Sequence, residues 1–154
     1  MKRSLSIILT LVLVGCFALG SKGTVLATEK LECIDGSYLL ESDSSEVTVE
    51  PKTRGIYLKS GSSTLNRLGA GYLAAGGNTV GQMSVSKISV TVKVQKLVNG
   101  SWTYYDSWVA TNYNTSYVSS SRTMYVPSGY YYRVCCTHHA NSDVSYSSTD
   151  GIYI

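Results

Sequence analysis

The most constraining feature of this chain is a strict alternation over residues 88–95. Ile88, Val90, Val92 and Val94 are apolar, and Ser89, Thr91, Lys93 and Gln95 between them are polar. A period of two sends the two sets to opposite faces of an extended strand, so one face must be buried. Asn99-Gly100 follows. That pair tolerates left-handed backbone at both positions and closes a tight type I′ hairpin. Residues 102–109 then read as the returning strand.

The same signals recur along the chain. Residues 54–59, 71–75 and 79–85 are short strand candidates, as are 118–126. Pro127-Ser128-Gly129 is a turn, residues 130–137 are the next strand, and Asp150-Gly151 precedes a last piece at 152–154. No window after the N-terminal segment shows a 3.6-residue apolar period. Seven or eight short strands with turn signals every 8–12 residues predict an all-β fold, an antiparallel β-sandwich.

Charge divides the 154 residues into three blocks. Residues 1–27 carry Lys2, Arg3 and Lys22 and no acid. Residues 28–52 carry seven acids against two bases, for −5, and residues 53–154 carry eight bases against three acids, for +5. The expected organisation is a signal peptide (1–27), an acidic arm or linker (28–52) and a β-sandwich domain (53–154). The net charge of +3 is too small and dispersed to indicate nucleic acid.

The first block has a secretory layout. Met1-Lys2-Arg3 is basic, residues 5–19 form an apolar run, Gly20 breaks it, and Val25-Leu26-Ala27 suits cleavage before Thr28. The run is shorter than the ~20 residues of a membrane-spanning helix. Leu13-Val14-Gly15-Cys16 is similar to a bacterial lipobox and offers the alternative of a lipid on Cys16. Phe17-Ala18-Leu19 lacks the polar tether that such a site expects. Either route puts the chain outside the cytoplasm, in contact with membrane only during export or through Cys16.

Cleavage at Ala27 leaves Cys33, Cys135 and Cys136. Export permits a disulfide, and an odd count leaves one thiol over. Alternation on residues 130–137 turns Tyr130, Tyr132, Val134 and Cys136 inward and Arg133 and Cys135 outward. A Cys33–Cys136 bond is expected if the arm docks at the sheet edge, and Cys33–Cys135 if it crosses the outer face. Residues 42–50 are Ser- and acid-rich and read as a flexible connection ending at Pro51.

Chemistry-bearing clusters are few. Cys135, Cys136, His138 and His139 are metal-type ligands, but alternation splits them two and two across the strand, short of a closed zinc site. The domain's acids are Asp106, Asp143 and Asp150, with two adjacent histidines and no GxSxG or HExxH motif. No nucleophile–base–acid set is legible, so the expectation is a non-enzymatic protein without cofactor or metal. Tyr occurs thirteen times and Phe once. Tyr105, Tyr113 and Tyr131 are the aromatic residues read as an exposed surface that could stack on a glycan or anchor a protein. The leading expectation is therefore a secreted binding module, and the alternative is an exported toxin or bacteriocin-like protein with the acidic arm as pro-segment.

Residues 126–134, Val-Pro-Ser-Gly-Tyr-Tyr-Tyr-Arg-Val, resemble the penultimate strand of fibronectin type III-like sandwiches, which implies the immunoglobulin/fibronectin type III-like form of the fold. Residues 33–39, 53–58, 129–134 and 149–152 are similar to an uncharacterised family of small exported proteins from Gram-positive bacteria. That resemblance implies export and a β domain, and no catalytic residues.

Overall fold

The computed structural model describes residues 31–51 and 55–154. They form nine strands and no helix: β1 (Cys33–Ile34), β2 (Ser37–Leu40), β3 (Ser44–Val49), β4 (Leu58–Gly69), β5 (Tyr72–Val98), β6 (Ser101–Tyr125), β7 (Tyr131–Ala140), β8 (Asp143–Ser148) and β9 (Gly151–Tyr153). The sheet order is β1-β2-β9-β7-β5-β4-β3, with β6 on the far edge of β5 and β8 beside β7. Every pairing is antiparallel except that of β2 with β9. The all-β class expected from the sequence is observed, as a single curled mixed sheet. The expected signal-peptide helix and the cleavage site lie outside the described residues.

Two long bent strands organise the curl. Asn99 and Gly100 both have positive φ, 50° and 74°, and close the β5–β6 hairpin as their residue types require. β5 joins into one strand the pieces read separately at 71–75, 79–85 and 88–95, and β6 likewise joins 102–109 and 118–126. β4 pairs with residues 72–81 of β5 and β7 with residues 88–96, along the same edge. The strand bends between them, where register slips between Val80 and Val85, and β4 is brought opposite β7.

Close approach of these layers explains two glycines. A Cβ on Gly77 would lie 2.6 Å from Cys136 Sγ and 2.7 Å from the Ser62 carbonyl oxygen, and one on Gly61 would run into the His138 ring. Only a bare backbone fits beneath these two β7 side chains. Around them the core is Leu58, Leu65, Leu73, Ile88, Val90, Val92, Val94, Val118, Tyr132, Val134 and Ile152, each almost wholly buried. The alternation read at residues 88–95 holds: the four apolar side chains are the centre of this core.

The acidic segment departs from the linker reading. Residues 44–49 are strand β3, paired with β4 over six positions from Ser44↔Asn66 to Val49↔Gly61. The segment offers little apolar area, so main-chain pairing and polar contacts hold it. Arg67 forms an ion pair with Asp43 at one end, and the Asp150 amide donates to Ser45 Oγ at 3.0 Å. β2 becomes a parallel neighbour of β9, with Ser37 Oγ donating to the Thr149 carbonyl at 2.8 Å.

Candidate functional site

β7 carries the residues with the richest chemistry, and its pleat sorts them. Tyr132, Val134, Cys136, His138 and Ala140 are buried, facing inward. Cys135, Thr137 and His139 face the outer side with partial exposure. The Cys/His cluster is thus divided by the strand itself.

The inward pair is locked. Thr79 donates its hydroxyl hydrogen to the Ser89 carbonyl at 3.0 Å, so Thr79 Oγ1 accepts from His138 Nδ1 at 2.9 Å. His138 Nε2 is then the acceptor for Ser147 Oγ at 2.8 Å. This fixes a neutral imidazole with its proton on Nδ1. Burial, aided by His139, pushes the His138 pKa down to about 4, against a backbone hydrogen bond at Asn78 that raises it. Cys136 Sγ lies 3.7 Å from the Gly76 carbonyl, and burial followed by the neighbouring Cys135 pushes its thiol up to about 12. Neither group is poised as a base or a nucleophile at neutral pH.

Arg133 faces outward on β7, as alternation requires, yet is only 5% exposed. The β1–β2 hairpin covers it. Arg133 donates to the Asp35 carbonyl (2.8 Å), Asp35 Oδ2 (2.9 Å), Ser37 Oγ (3.1 Å) and Gln95 Oε1 (2.9 Å). Its guanidinium lies 4.6 Å over the Trp102 ring, and Trp102 Nε1 donates to the Ile34 carbonyl at 2.9 Å. The arm therefore both adds a strand at the sheet edge and laps onto the outer face. Cys33 is exposed on β1, Cys136 is buried in the core, and Cys33, Cys135 and Cys136 are all free thiols. The expected Cys33–Cys136 bond is not formed, because the hairpin keeps Cys33 outside while Cys136 points into the opposite layer.

Beyond the hairpin the outer face is open. Register places Lys93 between Ser107 and Cys135, Thr91 between Val109 and Thr137, and Ser89 between Thr111 and His139. β8 extends the rows with Ser148, Tyr146 and Val144. Two adjoining grooves lie on this face. One, of about 370 Å³, is lined by Asp35, Thr91, Lys93, Arg133, Cys135 and Tyr146 among others. The second, of about 260 Å³, is lined by Lys87, Ser89, Thr91, Val109, Thr111 and His139 with Asn141. Thr91 borders both. Tyr146 is 71% exposed and Val109 60%, and Val144 is also exposed. The face combines upright aromatic and aliphatic groups, a row of hydroxyls and two lysines.

The three tyrosines named from sequence are dispersed. Tyr113 is exposed and pairs with Lys87 at the end of the second groove, so it belongs to this face. Tyr105 instead packs against the core, edge-on to buried Tyr132 at 5.6 Å, and donates to the Tyr125 carbonyl at 3.3 Å. The register slip between Val94 and Gln95 is what turns it inward. Tyr131 sits at the other end of β7, edge-on to Tyr153 at 5.2 Å and donating to Glu41 at 3.3 Å. Burial and Glu41 raise its pKa. Tyr146 and Val144 were missed because Asp143–Ser148 shows too short and polar an alternation to be read as a strand. Their pairing with β7 alone defines it.

Each acid of the domain is engaged by a backbone amide. Asp143 Oδ2 accepts from Leu58 at 3.0 Å and Tyr57 at 2.7 Å, which holds its carboxyl below the usual range and anchors the start of β4. Asp150 accepts from the Tyr38 amide at 2.9 Å, and Asp106 from that of Ser107 at 2.8 Å. The described residues bring no three His, Cys, Asp or Glu side chains together as a metal site.

Comparison with known proteins gives a match over residues 26–151 to a family of unknown function, DUF6147. No curated protein matches the chain. The match covers most of the chain and crosses the boundary between acidic arm and domain, in keeping with the arm's strands being part of one sheet.

Proposed function

We propose that this chain, which belongs to the DUF6147 family, is an exported non-enzymatic binding module that takes a surface glycan on the outer face of its curled sheet. The observation that carries the reading is the open face around Thr91. Tyr146, Tyr113 and Val109 stand exposed there beside the hydroxyls of Ser89, Thr91, Thr111 and Thr137 and the amines of Lys87 and Lys93. Sugar rings stack on exposed aromatic faces, and their hydroxyls exchange hydrogen bonds with Ser and Thr. The two lysines favour an acidic glycan. Export through the 1–27 leader would place the module at the cell surface or in the surroundings, and an immunoglobulin-like sandwich is the form of the fold this reading assumes.

The toxin alternative, with the arm as a removable pro-segment, draws no support from the arm's geometry. Removing the arm would take β2 and β3 out of the sheet and uncover Arg133. The binding proposal is tested by titrating the purified protein with acidic cell-wall polysaccharide and with a neutral glucan by calorimetry. Binding to the acidic polymer, lost in Tyr146→Ala and weakened in Lys93→Ala with the fold intact by circular dichroism, is the expected result. Absence of binding to either polymer sinks the glycan reading.

A further inference from the structure

β6 leaves one whole edge without a strand partner among the described residues. It is 25 residues long and pairs with β5 alone. An edge of this kind is a template for another strand, and monomeric proteins usually shorten it or guard it with Lys or Pro. β6 contains no Pro, Gly, Lys or Glu and is rich in Tyr, Trp, Thr and Val. The other edges are guarded or short: β3 carries Glu46 and runs into Glu50-Pro51, and β8 has six residues headed by Asp143.

Only two charges stand on β6, Asp106 and Arg122. They lie eight residues either side of Asn114, which marks the bend with a φ of 53°. Neither has a salt-bridge partner among the described residues. Asp106 is registered with Val94 and Arg122 with Ala75, both core residues, so both charges sit on the inward side of their layers. The two halves of β6 run in facing layers, tied where Trp108 Nε1 donates to Ser120 Oγ at 3.0 Å and Arg122 lies 4.7 Å over the Trp108 ring.

We propose that β6 is a self-pairing edge: two copies of this chain join antiparallel along it, with Asp106 of each opposite Arg122 of the other and Asn114 at the two-fold axis. Opposite residues on antiparallel strands share a face. Centred on Asn114, the register sets inward Asp106, Trp108 and Ala110 against inward Arg122, Ser120 and Val118, and outward Val109 against outward Ser119. A two-fold axis along the bisector of the bend superposes the two bends, so both layers of the sheet continue from copy to copy. The contact is isologous and closed. A shift of two residues either way would separate the charges, which is why this register is selected.

Sedimentation of the exported protein at micromolar concentration tests this. The wild type is expected to be a dimer. Asp106→Arg places like charges opposite each other twice per dimer, as does Arg122→Asp, and each should weaken self-association by about tenfold or more. Mixing the two variants restores complementary pairs at both positions and should yield a one-to-one heterodimer. That rescue distinguishes lost pairing from a damaged fold, which circular dichroism monitors in each variant alone. A monomeric wild type, a dimer indifferent to both substitutions, failure of the mixture to associate, or an open polymer would each overturn the proposal.

Discussion

The guanidinium of Arg133 lies over the indole of Trp102 with 4.6 Å between guanidinium carbon and ring centroid, and the β1–β2 hairpin closes over both. One residue comes from β7 and the other from the start of β6, so the hairpin is latched to the outer face at their junction. Asp35 supplies a carboxylate at 2.9 Å, although its own side chain is largely exposed. The latch therefore depends more on Arg133's three hydrogen bonds to neutral groups and its stacking than on the exposed ion pair.

Truncating Arg133 should release the hairpin without unfolding the sheet. Arg133→Ala removes every hydrogen bond that the guanidinium makes to Asp35, Ser37 and Gln95. The expected loss is on the order of 2–3 kcal/mol, typical of hydrogen bonds to a charged group together with the packing of its stem. Hydrogen exchange should accelerate at residues 33–40 and remain slow at 88–96. Equal acceleration in both segments would show that Arg133 holds the whole fold rather than the hairpin.

Stability should decline as pH falls from about 6.5 to about 4. His138 is neutral in the folded protein, with a pKa near 4, whereas an unfolded histidine binds its proton near 6.5. Between these values the unfolded chain holds more protons, so acid favours unfolding. The full effect is on the order of 3 kcal/mol, present above pH 6.5 and lost through that window. Urea denaturation at pH 7 and pH 4.5 checks it, with His138→Gln as reference. Gln can donate and accept but does not titrate, so its stability should vary less over the same range.

Gly77→Ala should cost about 1–3 kcal/mol as an overpacked core position. The new methyl would meet Cys136 Sγ at 2.6 Å and the Ser62 carbonyl at 2.7 Å. Combining it with Cys136→Ala removes the first clash and leaves the second. Thermal unfolding of the double mutant should therefore show partial, not complete, recovery relative to the sum of the single changes. Purely additive losses would mean that the two sites do not press on one another.

The parts of this fold that were readable from sequence are those where burial follows a local period. Ile88 to Val94 and the Asn99-Gly100 turn are such cases: a half-buried strand and a left-handed turn each leave their mark within a few residues. β3 left none, because Ser45 is its only buried residue and its order comes from pairing with β4, distant in sequence. The bends of β5 and β6 were equally hidden. Gly76 and Gly77 separate the strand candidates at 71–75 and 79–85 until the folded chain shows what presses on them, Ser120 and Ser121 at Gly76 and Cys136 with Ser62 at Gly77. At the candidate site, Tyr113 was legible as exposed, while Tyr105 was misplaced by one register slip that only the β5 pairing reveals. Arg133 was read correctly as outward, but its burial arises from Asp35, 98 positions earlier, and from Trp102 on a different strand, so no local window contains the three together.

The three thiols should differ sharply in reactivity, and the order follows from where each strand puts its side chain. Cys33 is exposed on β1, Cys135 is partly exposed in the larger groove, and Cys136 is buried beneath Gly77. Alkylation needs a thiolate that the reagent can reach. With its pKa raised to about 12, Cys136 is almost entirely protonated at pH 8, and it is only 2% exposed in the folded state. Iodoacetamide at pH 8 should therefore label Cys33 first, Cys135 more slowly and Cys136 only after addition of denaturant, as read by peptide mass spectrometry. Val90→Ala offers a control, since it opens space beside Cys136 and should raise the rate at that thiol without changing the rate at Cys33. Labelling of Cys136 as fast as Cys33 in the native protein would contradict the burial of β7's inward face. A Cys33–Cys136 disulfide peptide in the unreduced protein would contradict the separation of exposed Cys33 from buried Cys136.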